Sequence, residues 1–252
     1  MNWPEAVILL VAGILAGGIN AVVGSGSLVT FPVLIALGYP PIVANVTNNI
    51  GILPGSVVAA WVNRHELAGQ RRRLIELGIV AAVGGAIGAG LLLLLPATVF
   101  DFVVPALLIL AISLVILGPI FKTRLSHWQA PADSKRARVS LGTSIFGTAI
   151  YGGYFGAAQG VLLLSFLSMQ LRGTLHQANA YKNVLTATAN VAAAIVFVSS
   201  MEVAWLAVLA IAIGAFIGGQ IGARVGRRIP DLIYRITIVV IGLLALAHFL
   251  LT

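Results

Sequence analysis

The chain contains no cysteine and little charge, with only 9% of its 252 residues being Asp, Glu, Lys or Arg. Without thiols it cannot form disulfides, ligate an iron–sulfur cluster or use a cysteine nucleophile. The shortage of charge excludes a water-soluble fold, since a soluble domain carries about 25% charged residues to cover its surface. No Gly-Lys-Ser/Thr follows the glycine-rich stretches, so a phosphate-cradling loop is not indicated. All seven acidic residues (Glu5, Glu66, Glu76, Asp101, Asp133, Glu202 and Asp231) fall in expected loops or at segment ends. A cation channel or a carboxylate proton relay needs anionic groups inside the membrane, which argues against both. The four histidines (His65, His127, His176, His248) show neither metal-ligand nor catalytic spacing. No metal, no cofactor and no catalytic residue is therefore expected, and an integral-membrane enzyme is the weakest of the rival readings.

What the chain does have is apolar length. Sixty per cent of its residues are apolar, in long uncharged runs such as Ala6 to Leu37 and Gly78 to Phe100. At about 20 residues per crossing, the length accommodates roughly eight to ten spans in a lipid bilayer and no separate aqueous domain. The N-terminal Met-Asn-Trp-Pro-Glu lacks the positive region of a signal peptide, so the first apolar segment is expected to stay as a span. The net charge of +8 sits almost wholly in short connecting segments. That is how Lys and Arg hold cytoplasmic loops on their side, and no nucleic-acid partner is implied.

Sliding the sequence against itself gives one ungapped alignment at an offset of 134 residues, from Gly13 to Ala111. Gly18 falls on Gly152, Gly26 on Gly160, Ala44-Asn45 on Ala178-Asn179, Asn49 on Asn183, and Pro96 on Pro230. Chance matching in apolar sequence produces Leu and Val pairs; paired Asn, Gly and Pro at one offset indicate a tandem duplication. Residues 1–120 form the first repeat, 121–138 a cytoplasmic connector, and 139–252 the second repeat. The first half divides into Glu5 to Val23, Ser27 to Leu37, Pro41 to Val62, Leu74 to Leu95, and Phe100 to Gly118.

Loop charge sets orientation. The stretch Asn63 to Arg73, with Arg64, Arg71, Arg72 and Arg73, is expected inside, and Pro96 to Asp101 outside. In the second half the signs exchange: Ser199 to Glu202 reads as outside and Arg224 to Arg235 as inside. Each half then crosses an odd number of times, making the repeats inverted with both termini outside. The second segment of each half, near 27–37 and 161–171, is expected to run in a hairpin with the third. Its 11 residues reach about 17 Å, roughly half the hydrocarbon, so full crossing and re-entry both fit. The fold class is thus all-α and polytopic, with a broken or re-entrant helix in each inverted repeat.

Polar residues inside the apolar runs mark the candidate site. Lys182 lies within a predicted span, where an ionisable group costs at least about 2.5–3.5 kcal/mol, so function or a specific partner is the default explanation. Asn179, Asn183, Thr186 and Asn190 share a helix face with it, and their repeat equivalents include Asn45, Asn49 and Ser56, with Asn48 aligned to Lys182. Glycine-rich breaks occur at Gly24-Ser25-Gly26-Ser27 and at Gly152 to Gly156 with Gln159-Gly160. Interruptions at corresponding places in two inverted halves point to a transport site, because broken helix ends offer unsatisfied backbone groups and a dipole. The Gly-Gly-x-x-Gly sets at 84–88 and 218–222 are read as close helix packing. Trp3, Trp61, Trp128 and Trp205 are expected as interfacial anchors.

These residues resemble a known family. Gly17-Gly18, Gly24-Ser25-Gly26-Ser27, Pro32, Leu37-Gly38-Tyr39-Pro40-Pro41 and Ala44-Asn45-Val46-Thr47-Asn48 are similar to the first-half signature of the TauE/SafE sulfite-exporter family. Gln177-Ala178-Asn179-Ala180-Tyr181-Lys182-Asn183 is similar to its second-half counterpart. Gly-Ser-Gly-Ser departs from the family's more usual run of glycines. The resemblance implies transport of a small sulfur-containing anion, such as sulfite, thiosulfate or an organosulfonate, across a bacterial-type inner membrane. The expected substrate-binding residues are Ser25, Gly26, Ser27, Asn45, Asn48, Asn49, Gln159, Asn179, Lys182 and Asn183. Alternating access around a midplane site is the expected mechanism, with a passive anion channel as the alternative.

Overall fold

A computed structural model describes residues 1–125, 135–171, 173–225 and 231–251. Among them all regular structure is helical: α1 (Trp3–Val22), α2 (Ser27–Ala36), α3 (Pro41–Val62), a 3-10 turn (Arg64–Leu67), α4 (Arg71–Leu94), α5 (Ala97–Leu125), α6 (Lys135–Tyr154), α7 (Gln159–Gln170), α8 (Leu175–Ser200), α9 (Trp205–Val225) and α10 (Asp231–Leu251). The expected all-α fold is what the chain adopts. Helix starts repeat at the offset seen in the sequence: α3, α4 and α5 begin at Pro41, Arg71 and Ala97, and α8, α9 and α10 begin 134 residues later at Leu175, Trp205 and Asp231.

Local chemistry sets these ends. Asn2 caps α1 reciprocally with Glu5, the Glu5 N–H donating to Asn2 Oδ1 at 3.0 Å and the Asn2 N–H to Glu5 Oε2 at 3.1 Å. Gly38, at φ +84°, ends α2 in the left-handed region that glycine adopts without a Cβ penalty. Pro41 then opens α3 at its first position, where the missing N–H costs nothing. Thr174 caps α8 by accepting from the Gln177 N–H at 3.1 Å.

Among the described residues, α1, α3, α4, α8 and α9 are long and apolar enough to cross a bilayer. Their surfaces invert the soluble pattern. Val7, Val11 and Leu15 on α1, Ile79, Val83 and Ile87 on α4, and Leu209, Ile213 and Phe216 on α9 are all exposed, whereas Asn20, Thr30, Asn45, Asn48, Lys182 and Asn190 are buried. Exposed aliphatic faces on this scale are stable only against lipid, so the protein is a multi-pass membrane protein. Trp3, Trp61 and Trp205 lie exposed near helix ends, and Arg64 sits 4.1 Å from the Trp61 ring centre; Trp128 falls outside the described residues.

The main helix pairs are kept when one set of five is exchanged for the other, the packing of α3 on α5 being the exception. Helix α1 packs along α9 as α6 packs along α4; α3 lies on α9 as α8 lies on α4; α2 touches α10 as α7 touches α5; and α3 meets α8. Small residues permit this closeness. A Cβ at Gly218 would stand 1.9 Å from the Ile14 carbonyl oxygen, and one at Gly88 would stand 2.0 Å from that of Ile150. The two glycine sets read as packing surfaces are therefore where backbones touch.

Helices α2 and α7, of 10 and 12 residues, reach about 15 and 18 Å, too short to cross a hydrocarbon layer of about 30 Å. The tip after α2 carries Gly38, Tyr39 and Pro40. Burial and then the Glu5 carboxylate both raise the pKa of the Tyr39 phenol at that tip. The apolar segments predicted the helices of the first half to within three residues, except that α5 continues to Leu125. Hydropathy marks the lipid slab, and a helix whose hydrogen bonds are internal can run on into water. Of the expected 121–138 connector, the two ends belong to α5 and α6, and 126–134 lie outside the described residues.

Candidate functional site

The two glycine-rich breaks meet. The Gly160 N–H donates to the Gly24 carbonyl at 2.9 Å, joining the turn between α1 and α2 to the first turn of α7. Glycine is required on both sides: a Cβ at either residue would stand 2.4 Å from the other's Cα. Gly24 holds φ +88°, and its repeat equivalent Ala158 holds φ +60°, the one described non-glycine residue in the left-handed region. Both halves thus place a left-handed residue at the same repeat position, and the second half has another at Gly156, φ +78°.

Breaking a helix exposes its last carbonyls, and each set here is capped by the third helix of the opposite half. At the end of α1, Lys182 Nζ donates to the carbonyls of Asn20 at 2.8 Å and Ala21 at 3.3 Å. The Nδ2 groups of Asn179 and Asn183 donate to the Ala21 carbonyl at 3.1 and 3.5 Å. At the end of α6, Asn45, the equivalent of Asn179, caps a carbonyl one position earlier in the repeat: its Nδ2 donates to the carbonyl of Tyr154, the equivalent of Asn20, at 2.9 Å. The ammonium lies at the negative end of the α1 dipole and, among the described residues, pairs with no carboxylate. Its position explains how a charge that is 1% exposed is tolerated inside the apolar chain.

The aligned sets Asn45, Asn48, Asn49 and Asn179, Lys182, Asn183 differ at one position. Asn48, the equivalent of Lys182, turns instead to α2 and accepts a hydrogen bond from the Thr30 hydroxyl. The carbonyl end of α1 therefore has a fixed cation, and that of α6 has none.

Several buried polar atoms around the junction have no partner: Ser25 Oγ, both amide atoms of Gln159, and the Oδ1 atoms of Asn45, Asn49, Asn179 and Asn190, with Thr186 Oγ1. Most fall in repeat-related pairs, Ser25 with Gln159 and Asn45 with Asn179. Each buried unsatisfied group costs about 1–3 kcal/mol, a penalty that native folds retain where a ligand or water is to be bound. The Gln159 amide lies against the backbone of Gly152, where a Cβ would stand 2.1 Å from its Cδ, and the Asn49 amide lies beside Gly156. Ser25, Asn45, Asn48, Asn49, Gln159, Lys182 and Asn183 are each at most 4% exposed, so the junction is sealed from both sides. Gly26 and Ser27 open α2, with Gly26 pressed on Ala16 and Asn20 of α1.

Of the ten residues singled out by sequence, Ser25, Gly26, Ser27 and Gln159 lie at the two breaks and Asn45, Asn179, Lys182 and Asn183 cap them, whereas Asn48 bonds Thr30 and Asn49 lies beside Gly156. Sequence reasoning passed over Asn20, whose Nδ2 donates to Ser56 Oγ at 2.8 Å, and Tyr151, whose hydroxyl donates to the Ala157 carbonyl at 2.6 Å. An amide inside the first apolar run was the available signal for Asn20; nothing in sequence marked Tyr151. No group of three or more His, Cys, Asp or Glu is placed to hold a metal among the described residues.

Known proteins are similar to this chain in sequence. The family model for the sulfite exporter TauE/SafE matches residues 9–248. A "Probable membrane transporter protein" of Haemophilus influenzae is 27% identical over 219 residues, covering 84% of this chain and 82% of its own. "Probable membrane transporter protein ORF9" of Sinorhizobium sp is 28% identical over 216 residues, covering 84% and 79%. "Probable membrane transporter protein YfcA" of Escherichia coli K12 is 27% identical over 220 residues, covering 84% and 77%. Paired helix breaks sealed inside a lipid-facing bundle, together with a match across nearly its whole length, make this chain a membrane transporter of the TauE/SafE sulfite exporter family.

Proposed function

We propose that the protein carries a small oxyanion, of the sulfite, thiosulfate or organosulfonate class, across the inner membrane by alternating access around the meeting point of its two broken helices. The observation that carries this reading is the set of partnerless buried donors beside a fixed cation. Ser25 Oγ–H and the Gln159 amide N–H groups have no acceptor, and Lys182 uses two of its three ammonium donors on α1. An oxyanion supplies the missing acceptors and neutralises the charge. Its class comes from the family name; the donors favour any small oxyanion over a cation at this point.

Inverted repeats supply the movement. Loop charges put Arg72 inside and Glu202 outside, and the helix pairing is nearly unchanged on exchanging the halves, so the unit of α1, α3 and α9 and its counterpart of α6, α8 and α4 can rock against each other about the junction. At the arginine-rich end a cavity of about 550 Å³, lined by Arg72, Arg73 and Arg138, would concentrate anions before entry.

The test is thermal stability of the purified protein across a panel of sodium salts. A ligand that binds only the folded state adds about 2.7 kcal/mol at a hundredfold excess over its Kd. Sulfur oxyanions should raise the unfolding midpoint above chloride, and Lys182→Met should abolish the increment. A panel in which no anion stabilises the wild-type protein refutes the reading.

A further inference from the structure

We propose that the carbonyl end of α6 is a binding site for one monovalent cation, Na⁺ by its chemistry, which fills in the first-repeat cap the place that the Lys182 ammonium fills in the second. The inference deepens the transport reading by naming a coupling ion, and its decisive measurement requires no substrate anion.

It begins with what an anion cannot satisfy. A bound oxyanion accepts hydrogen bonds and so provides nothing for the Oδ1 atoms of Asn45 and Asn49 or for Gln159 Oε1, which are themselves acceptors without partners. These three side chains are 1–4% exposed and converge on one short stretch of chain. Asn45 and Asn49 reach it through their Nδ2 atoms, Asn45 bonding the Tyr154 carbonyl and Asn49 lying beside Gly156, so that each Oδ1 is the unbonded end of its amide, and Gln159 lies on Gly152. The same stretch is the broken end of α6, where the last carbonyls carry the negative pole of the helix dipole. Orphan oxygens and a carbonyl terminus are thus gathered at one place, which makes it electronegative.

The end of α1 shows what such a terminus accepts. There, at repeat-equivalent positions, the carbonyls of Asn20 and Ala21 are met by an ammonium carried on residue 182. In the first half residue 48 is Asn and is engaged with Thr30, so the same backbone arrangement lacks its positive charge. Half-helix C-terminal ends and unwound carbonyls are the groups with which transporters coordinate Na⁺. The available ligands are neutral amide and carbonyl oxygens. A divalent ion, which draws on carboxylates, would be left with an uncompensated charge in the membrane.

The experiment measures the unfolding midpoint of the purified protein in detergent while Na⁺ replaces choline at constant chloride and ionic strength, with K⁺ as a parallel series. A saturable rise with Na⁺, larger than with K⁺, is expected without any sulfur anion present. Gln159→Leu removes one oxygen and should weaken the Na⁺ response by about tenfold or more, since even an outer partner costs that much at a metal site. Asn48→Lys places an ammonium where the second repeat has one and should make the midpoint independent of Na⁺. A wild-type protein that responds alike to Na⁺, K⁺ and choline overturns the proposal, whatever the anion panel gives. So does a Na⁺ response that persists unchanged in both variants. Failure of the anion panel alongside a saturable Na⁺ response would instead refute the transport substrate and leave the cation site standing.

Discussion

The junction of the two breaks makes a sharp quantitative demand on residue 160. In Gly160→Ala the new methyl would stand 2.4 Å from Gly24 Cα, 2.7 Å from its carbonyl oxygen and 2.9 Å from its carbonyl carbon, all backbone atoms that no side-chain rotation can move. Relief to ordinary contact requires roughly 1 Å of separation between the α1–α2 turn and α7, and overpacking of this kind costs about 1–3 kcal/mol. The 2.9 Å bond from the Gly160 N–H to the Gly24 carbonyl is lost in the process, adding about 0.5–1.5 kcal/mol. Against this, alanine is a better helix former by at most about 1 kcal/mol, and less in a first turn. The net effect is about 2.5 kcal/mol of destabilisation, or roughly 5–10 °C at 2–4 °C per kcal/mol. Gly90→Ala, in mid-α4 with no atom within 4 Å of the added carbon, is the control and should gain roughly 0.5–1 kcal/mol from propensity alone. Thermal unfolding of both variants gives the comparison, and anion flux in proteoliposomes should fall only in the first, because Ser25 and Gln159 each adjoin one of the touching glycines. The reasoning is refuted if Gly160→Ala loses no more than a surface substitution does, about 0.5 kcal/mol, and transports normally.

Ala158→Gly should raise stability by about 0.5–1 kcal/mol, since a left-handed alanine is strained by about 1–2 kcal/mol and glycine gives back part of that gain through unfolded-state freedom; a lowered unfolding midpoint would show that the methyl contributes packing the strain argument ignores. Because the native chain has no cysteine, single substitutions report sidedness cleanly. Glu202→Cys and Trp3→Cys should react with an impermeant thiol reagent added outside intact cells, and Arg72→Cys should react only after permeabilisation; the opposite result for Glu202 alone would exclude inverted repeats.

How much of this was legible beforehand depends on the range of the interaction involved. Glycine- and proline-rich breaks are local signals, because they act on the backbone of the residue that carries them; they located Gly24 to Ser27 and Gly38 to Pro41 before any coordinates. The duplication was equally legible, since it is a property of the string. The polar face of α8 followed from helical period, which places Asn179 and Asn183 together whatever they face. Lys182 stood out because a charge in an apolar run is costly wherever it ends up.

What lay beyond the sequence was the partner of each group. The Lys182 ammonium is held by carbonyls 161 and 162 residues away, and Asn45 caps a helix 109 residues away. Periodicity cannot assign these pairs, since it describes one helix at a time. Nor could it show that aligned positions 48 and 182 diverge, one toward Thr30 and the other toward α1. The apolar runs fixed which segments enter lipid, because transfer free energy depends on composition; only the packed bundle decided which helix covers which broken end, because that depends on backbones approaching within a glycine's width.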